Sequence, residues 1–222
     1  MKNKEHIKMK LTTLIAIASI TLTGCSSISR TTSFDGRDGK SFALVASDDM
    51  PTDWINNYDF VFQEIDVKTS KTLPYAFSVI FSATGPMEGN EFKKPQNLNT
   101  TVRFGGAPTH AGDYVLIARI DNRVLAGVDS TVVNCYAKGA AVFRIHGASI
   151  NIISVGSIDG TSIDEAHLKA QVQTLLSDYP KFSAAVSSAE IIGKVVFQTG
   201  KNRLGGKNCS MLDGNFVFSP KN

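Results

Sequence analysis

The sequence predicts a mainly β protein: an antiparallel β-sandwich with one C-terminal helical segment at about 162–189. Three observations carry that prediction. Short runs of β-branched and aromatic residues recur at roughly 8–12-residue intervals between turn residues, the rhythm of sandwich strands rather than of βαβ units. Some runs alternate in character, as half-buried strands do. After residue 162 the apolar period lengthens from that of a strand to that of a helix.

In chain order, Asp35-Gly36-Arg37-Asp38-Gly39 is a turn cluster, followed by a strand over Ser41–Ser47. Tyr58–Val67 alternates, with Tyr58, Phe60 and Phe62 on one face and Asp59, Val61 and Gln63 on the other. Tyr75–Ala83 is the next strand. Thr84–Asn99 holds two Pro, two Gly and three Asn, the composition of an exposed loop. Thr100–Phe104 predicts a short strand that Gly105–Gly112 breaks. Asp113–Ile120 is a strand, and Asp121-Asn122 turns it into Arg123–Ala126. Thr131–Tyr136, Ala140–His146 and Ser149–Val155 follow, with a hairpin turn expected at His146-Gly147. Ser162 and Glu165 stand in capping-box spacing ahead of Leu168, Val172, Leu175, Leu176 and Tyr179, an apolar helical stripe that Pro180 ends. Phe182–Ala189 predicts a further turn or two of helix. Ile191–Thr199 and Asn215–Ser219 are closing strands around a polar, Gly-rich loop.

Upstream of the first strand the chain reads as a secretory signal. Met1–Lys10 carries Lys2, Lys4, Lys8 and Lys10 against one acid, Glu5, and Leu11–Leu22 is apolar. A bilayer-spanning helix needs about 20 apolar residues, so this stretch is too short to remain as one. It ends in Leu22-Thr23-Gly24-Cys25. The tetrapeptide resembles the bacterial lipobox: a branched aliphatic residue, a small residue, Gly or Ala, then an invariant Cys. The resemblance implies a lipoprotein signal peptide at 1–24, cut between Gly24 and Cys25. It also implies a diacylglyceryl group on the Cys25 thiol and an acylated new amino terminus. Two or three acyl chains make a stable anchor, at about 0.8 kcal/mol per buried CH₂. Ser26, not Asp, follows the Cys. By analogy with Gram-negative lipoproteins this implies the outer membrane, with the lipid-anchored domain facing the periplasm. Ser26–Ser33 is small and polar. Residues 25–34 therefore read as lipidated Cys and flexible tether, and 35–222 as a single β-rich globular domain with a C-terminal helical extension.

Removal of residues 1–24 takes four Lys and one Glu, leaving 19 of the 23 basic and 19 of the 20 acidic residues. The mature chain is formally neutral, so there is no global electrostatic case for nucleic acid as a partner or for a broad basic membrane-binding face. With Cys25 assigned to lipid, Cys135 and Cys209 remain, an even pair in an oxidising compartment. A disulfide is the default there, worth roughly 4 kcal/mol in the loop-entropy model. Two buried thiols and a Cys nucleophile are the alternatives.

A second resemblance covers about residues 100–158. Gly112-Asp113-Tyr114-Val115-Leu116 precedes Ala141-Val142-Phe143-Arg144-Ile145, a turn at Gly147, and Ile152–Ile158 ending in Gly156-Ser157-Ile158. This is similar to the β-sandwich domain of small uncharacterised bacterial lipoproteins, in which a Pro-Gly-Asp/Glu-Tyr strand leads to a Phe-containing strand and an apolar strand. Ala111 stands where that pattern has Pro. The shared residues are turn and core residues, so the resemblance implies fold and not activity.

Chemistry-bearing motifs are sparse. His110, His146 and His167 show no zinc-ligand spacing, and no metal or cofactor is expected. His110 is the one to watch, in a Gly-rich loop; the plainer reading is a solvated turn residue. There is no Gly-x-Ser-x-Gly elbow and no Ser-x-x-Lys, so no catalytic residue is assigned. Asp48-Asp49 and Asp164-Glu165 read as strand and helix-start acids. Asp35-Gly-Arg-Asp-Gly has Ala46 at position 12, which excludes an EF-hand loop. Trp54 reads as a core residue. The expected protein is a non-enzymatic envelope lipoprotein, a binding or assembly module held to the membrane by its anchor with an envelope protein as partner. The alternative is a hydrolase of a cell-wall polymer or lipid, with polar groups converging from the Gly105–Gly112 loop.

Overall fold

The computed structural model describes residues 28–48, 55–82, 90–125, 128–135, 138–155, 164–197 and 216–221. Eleven strands and one α-helix are assigned there. They are β1 (Ser41–Ser47), β2 (Ile55–Asp66), β3 (Lys71–Ser82), β4 (Arg103–Thr109), β5 (Gly112–Leu125), β6 (Val128–Cys135), β7 (Lys138–Ile145), β8 (Ser149–Ser154), α1 (Glu165–Ser177), β9 (Ala185–Ser188), β10 (Glu190–Phe197) and β11 (Phe216–Pro220). They form two sheets. The smaller runs β4-β1-β8-β9, and the larger β11-β10-β7-β5-β2-β3, with β6 pairing β5 beyond the reach of β7. The fold is the mainly β sandwich with one helix that the strand rhythm predicts. All pairings are antiparallel except β1–β8 and β8–β9.

The layers follow from which side chains each strand turns to either face. On the large sheet Tyr58, Phe60 and Phe62 face Ala43, Val45 and Ile153 of the small sheet. The aromatic half of the β2 alternation is therefore the sandwich core. The small sheet is buried on both faces, since Phe42, Leu44, Ala46, Ile150 and Ile152 meet Leu168, Val172, Leu175 and Leu176 of α1. A strand covered on both sides reads as a continuous apolar run, and β1 (SFALVAS) is buried throughout. The helix is thus a third layer. Asp164 caps its start by accepting from the Ala166 amide at 3.2 Å. A separate cluster of Val115, Val142, Val195, Phe197 and Phe216 lies on the other face of the large sheet.

Several local expectations are corrected. The Gly105–Gly112 stretch does not break the strand: β4 runs through Gly105 and Gly106. A Cβ at Gly105 would stand 2.5 Å from Val79 Cγ1, and one at Gly106 would run into the Phe42 ring. Gly105 thus allows close approach of the two sheets, and Gly106 makes room for the Phe42 ring of the adjacent strand, rather than forming a turn. Asp121-Asn122 is no turn, because β5 continues to Leu125 beside β2 and β6. His146-Gly147 is no hairpin; it carries the chain from β7 in the large sheet to β8 in the small one. Buried Asn151 fixes that crossing, accepting from the His146 amide at 2.8 Å and donating to the His146 carbonyl at 3.0 Å.

Helix was expected on to residue 189, but 185–188 is β9, drawn into parallel pairing by β8. In the expected 84–99 loop, Glu91 and Phe92 are buried, Phe92 among Phe42, Tyr179 and Phe182. The expected tether is not free from Ile28 onward. Buried Ile28 bridges to Phe92, Phe34 bridges to Phe182, and Arg30 pairs with Asp178 at 2.7 Å. One apolar residue at each end of an otherwise polar segment is enough to dock it.

Candidate functional site

Two polar clusters interrupt the sandwich core, one at each end of β2. At the C-terminal end, alternation continues the inward face from Phe62 to Glu64, which pairs with Tyr114 of β5. The Glu64 side chain is 12% exposed, and its Oε1 lies 3.0 Å from Nε2 of His110, whose side chain is 47% exposed. A Cβ at position 112 would come within 2.9 Å of Glu64 Oε1, so glycine leaves room for the carboxylate. The Tyr75 ring on β3 sits under the imidazole, with centroids 4.4 Å apart. Its hydroxyl donates to the Pro108 carbonyl at 3.0 Å. Thr109 Oγ1 donates to the Tyr114 hydroxyl at 2.9 Å, which donates in turn to the His110 carbonyl at 3.3 Å. Burial pushes the Tyr114 phenol well above its ordinary range, so it stays a neutral donor.

At the other end, the inward residues of β5 are charged. An extra residue at Ile117 shifts the register, so that Leu116 faces Phe62 and Arg119 faces Phe60. Arg119 Nε bonds Asp121 Oδ1 at 2.7 Å, Arg123 Nη2 bonds Asp121 Oδ2 at 3.0 Å, and the Arg119 guanidinium lies 4.6 Å from the Tyr58 ring centre. Nearby, Arg103 of β4 donates through Nε to Glu91 Oε1 at 2.7 Å and through Nη2 to the Ser82 carbonyl at 2.6 Å; Nη2 also pairs with Glu91 Oε2. The Arg103 and Glu91 side chains are 9% and 7% exposed. Halfway along β2, on the opposite face, Asp59 lies across from Ile80 and Ile120. Its Oδ1 is buried without a hydrogen-bond partner, and burial pushes the carboxyl up to about 6.

Of the residues singled out in the sequence, His110 alone joins a cluster with a carboxylate. His146 is exposed and offers its backbone to Asn151 and Ser149, and His167 meets Gln171 across one helical turn at 2.7 Å. Cys25, Cys209 and Trp54 lie outside the described residues, as does the expected Cys135–Cys209 bond; Cys135 ends β6, opposite Ala118. Sequence reasoning missed Glu64, Tyr75 and Arg119. The signal for Glu64 was present: the alternation that turns Tyr58, Phe60 and Phe62 inward turns Glu64 inward as well.

The His110 cluster presents a half-exposed imidazole, oriented by a carboxylate and backed by an aromatic ring. It can exchange hydrogen bonds with a ligand and stack against it. Among the described residues no hydroxyl is hydrogen-bonded to the imidazole ring. Among the same residues no group of three His, Cys, Asp or Glu is placed to hold a metal ion, and no helix is long and apolar enough to cross a membrane. No family model, curated protein or solved structure matches the chain.

Proposed function

We propose that this chain is a lipid-anchored bacterial envelope protein whose folded part is a non-enzymatic binding or assembly module at the outer membrane, with another envelope protein as its partner. The observation that carries the reading is the lipobox-like Leu22-Thr23-Gly24-Cys25 behind a basic start and a short apolar stretch. The His110 cluster fits a binding role, since the neighbouring hydroxyls of Thr109, Tyr75 and Tyr114 each donate elsewhere. Membrane fractionation with peptide mass analysis tests the anchor. The wild-type chain should sediment with outer membranes and carry acyl mass on a peptide beginning at Cys25, and Cys25→Ser should become soluble. Sedimentation of Cys25→Ser, or a mature chain that keeps residues 1–24, would overturn it.

One observation favours a second reading, a hydrolase of a cell-wall polymer or lipid. The 3.0 Å Glu64–His110 contact orients an imidazole as a carboxylate orients a general base. Release of soluble product from envelope polymer or phospholipid by the wild-type chain, abolished in His110→Ala, would establish that reading and remove the non-enzymatic one.

A further inference from the structure

We infer that the folded domain rests on the bilayer through the face where the chain first joins the fold, and that anionic phospholipid is what this face meets. The inference rests on the lipid-anchor reading above. Only Ser26 and Ser27 separate Cys25 from Ile28. An extended chain covers at most about 3.5 Å per residue, so the Cα atoms of Cys25 and Ile28 stand within about 11 Å of one another.

Ile28 is not free to extend that leash. It is buried in the helix-side core and bridged to Phe92. The segment after it is held at its far end, where the Phe34 amide donates to the Lys181 carbonyl at 2.9 Å and the Ser183 amide to the Phe34 carbonyl at 3.0 Å. Arg30 is held to Asp178 between these points. A leash about as long as a helix is wide does not let the domain tumble. It keeps the Ile28 side of the molecule toward the membrane.

The charges around that segment have one sign in excess. Lys93 follows Phe92, and its amide is bonded to the Tyr179 hydroxyl at 2.8 Å; Lys94 is next to it, and Lys181 is bonded to Phe34. Lys93, Lys94, Lys181 and Arg30 are exposed. Against these four stand Asp178, already bound to Arg30, and Asp35, which lies 3.3 Å from Arg37. The leash is comparable with the screening length of about 8 Å at physiological salt, so these lysines lie within reach of a charged surface. Each basic side chain near an anionic surface strengthens the association by about fivefold. The mature chain as a whole is neutral, so this preference is local to one face.

The test uses the full chain, processed by cells and purified from membranes. Mass analysis of its first peptide reads the anchor separately; an unacylated Cys25 would remove the anchor reading and this inference with it. The acylated protein is then placed in vesicles of phosphatidylcholine alone or with phosphatidylglycerol, and amide hydrogen exchange is compared. Slower exchange at 29–34 and 93–99 in phosphatidylglycerol vesicles, unchanged exchange in β3, and loss of the difference in Lys93→Gln/Lys94→Gln/Lys181→Gln are expected. A ten-residue Gly/Ser spacer inserted after Ser27 should also weaken the protection. Equal exchange in both vesicles, with Cys25 acylated, would overturn the inference and leave the anchor standing.

Discussion

At the Tyr58 end of β2, the charges inside the sandwich are arginines and carboxylates bound to one another; at the Glu64 end, a carboxylate meets a half-exposed imidazole. Guanidinium keeps its charge across the accessible pH range. The Arg103–Glu91 and Arg119–Asp121 side chains are buried, and the low-dielectric interior makes each partner necessary to the other. The Glu64–His110 contact instead joins a nearly buried carboxylate to a ring that is half exposed. Two clusters of similar polarity thus do different work: one closes an end of the core, and the other leaves an end open to solvent.

The largest effect should come from breaking the closed end. Glu91→Ala leaves the Arg103 guanidinium buried without its carboxylate and should cost about 3–5 kcal/mol in urea unfolding, while Glu91→Leu/Arg103→Met should recover most of it. A loss below about 1 kcal/mol in the single variant would make that end an ordinary solvated rim. Asp59, between the ends, should show the next effect, with a distinct pH signature. The unfolded chain loses this proton near 3.8 and the folded chain near 6, so stability falls as pH rises between those values, and the penalty is complete above 6. The whole shift corresponds to about 3 kcal/mol; partial access to solvent lowers that to about 2. Asp59→Asn should therefore stabilise the fold by about 2 kcal/mol at pH 7.5 and leave it unchanged at pH 3.5.

At the open end the effects should be smaller. Tyr114→Phe removes the acceptor of Thr109 and a donor to His110, costing about 1–1.5 kcal/mol by thermal unfolding. Glu64→Gln should cost no more than about 1 kcal/mol, because His110 is half in water. A double-mutant cycle with His110→Ala should give a coupling of no more than about 1 kcal/mol, well below that of the buried Arg103–Glu91 pair. A coupling as large as that of the Arg103–Glu91 pair would show that the two ends are held alike, and would erase the contrast.

Much of the architecture was legible in local pattern. Ser41–Ser47 is β1 to the residue, because an apolar run bounded by turn residues has one plausible reading. The helix follows from Leu168, Val172, Leu175 and Leu176, which all face the small sheet. The misreadings share a physical cause: tertiary partners overrode local propensity. Gly105-Gly106 reads as a break until Phe42 and Val79 are seen pressing on it. Residues 185–188 look helical until β8 offers a free edge. Arg119 and Asp121 face inward only because of the irregularity at Ile117, which no periodic pattern announces. The candidate site was half legible: His110 stood out by its loop, but its partners come from β2 and β3, far along the chain.

The position of β1 bears on the order of folding. It lies second in the small sheet, yet Ser41 pairs with Thr109, 68 residues later, and Phe42 with Ile150, 108 residues later. Contacts so distant in sequence must meet the entropy of closing long loops before they return any stability, so such strands assemble slowly. While the chain is emerging, its most buried strand has nothing to pair with. Slow assembly is a hazard for a protein that folds where it is made; for one that must be threaded through a membrane before it folds, it holds the chain in the state that threading requires.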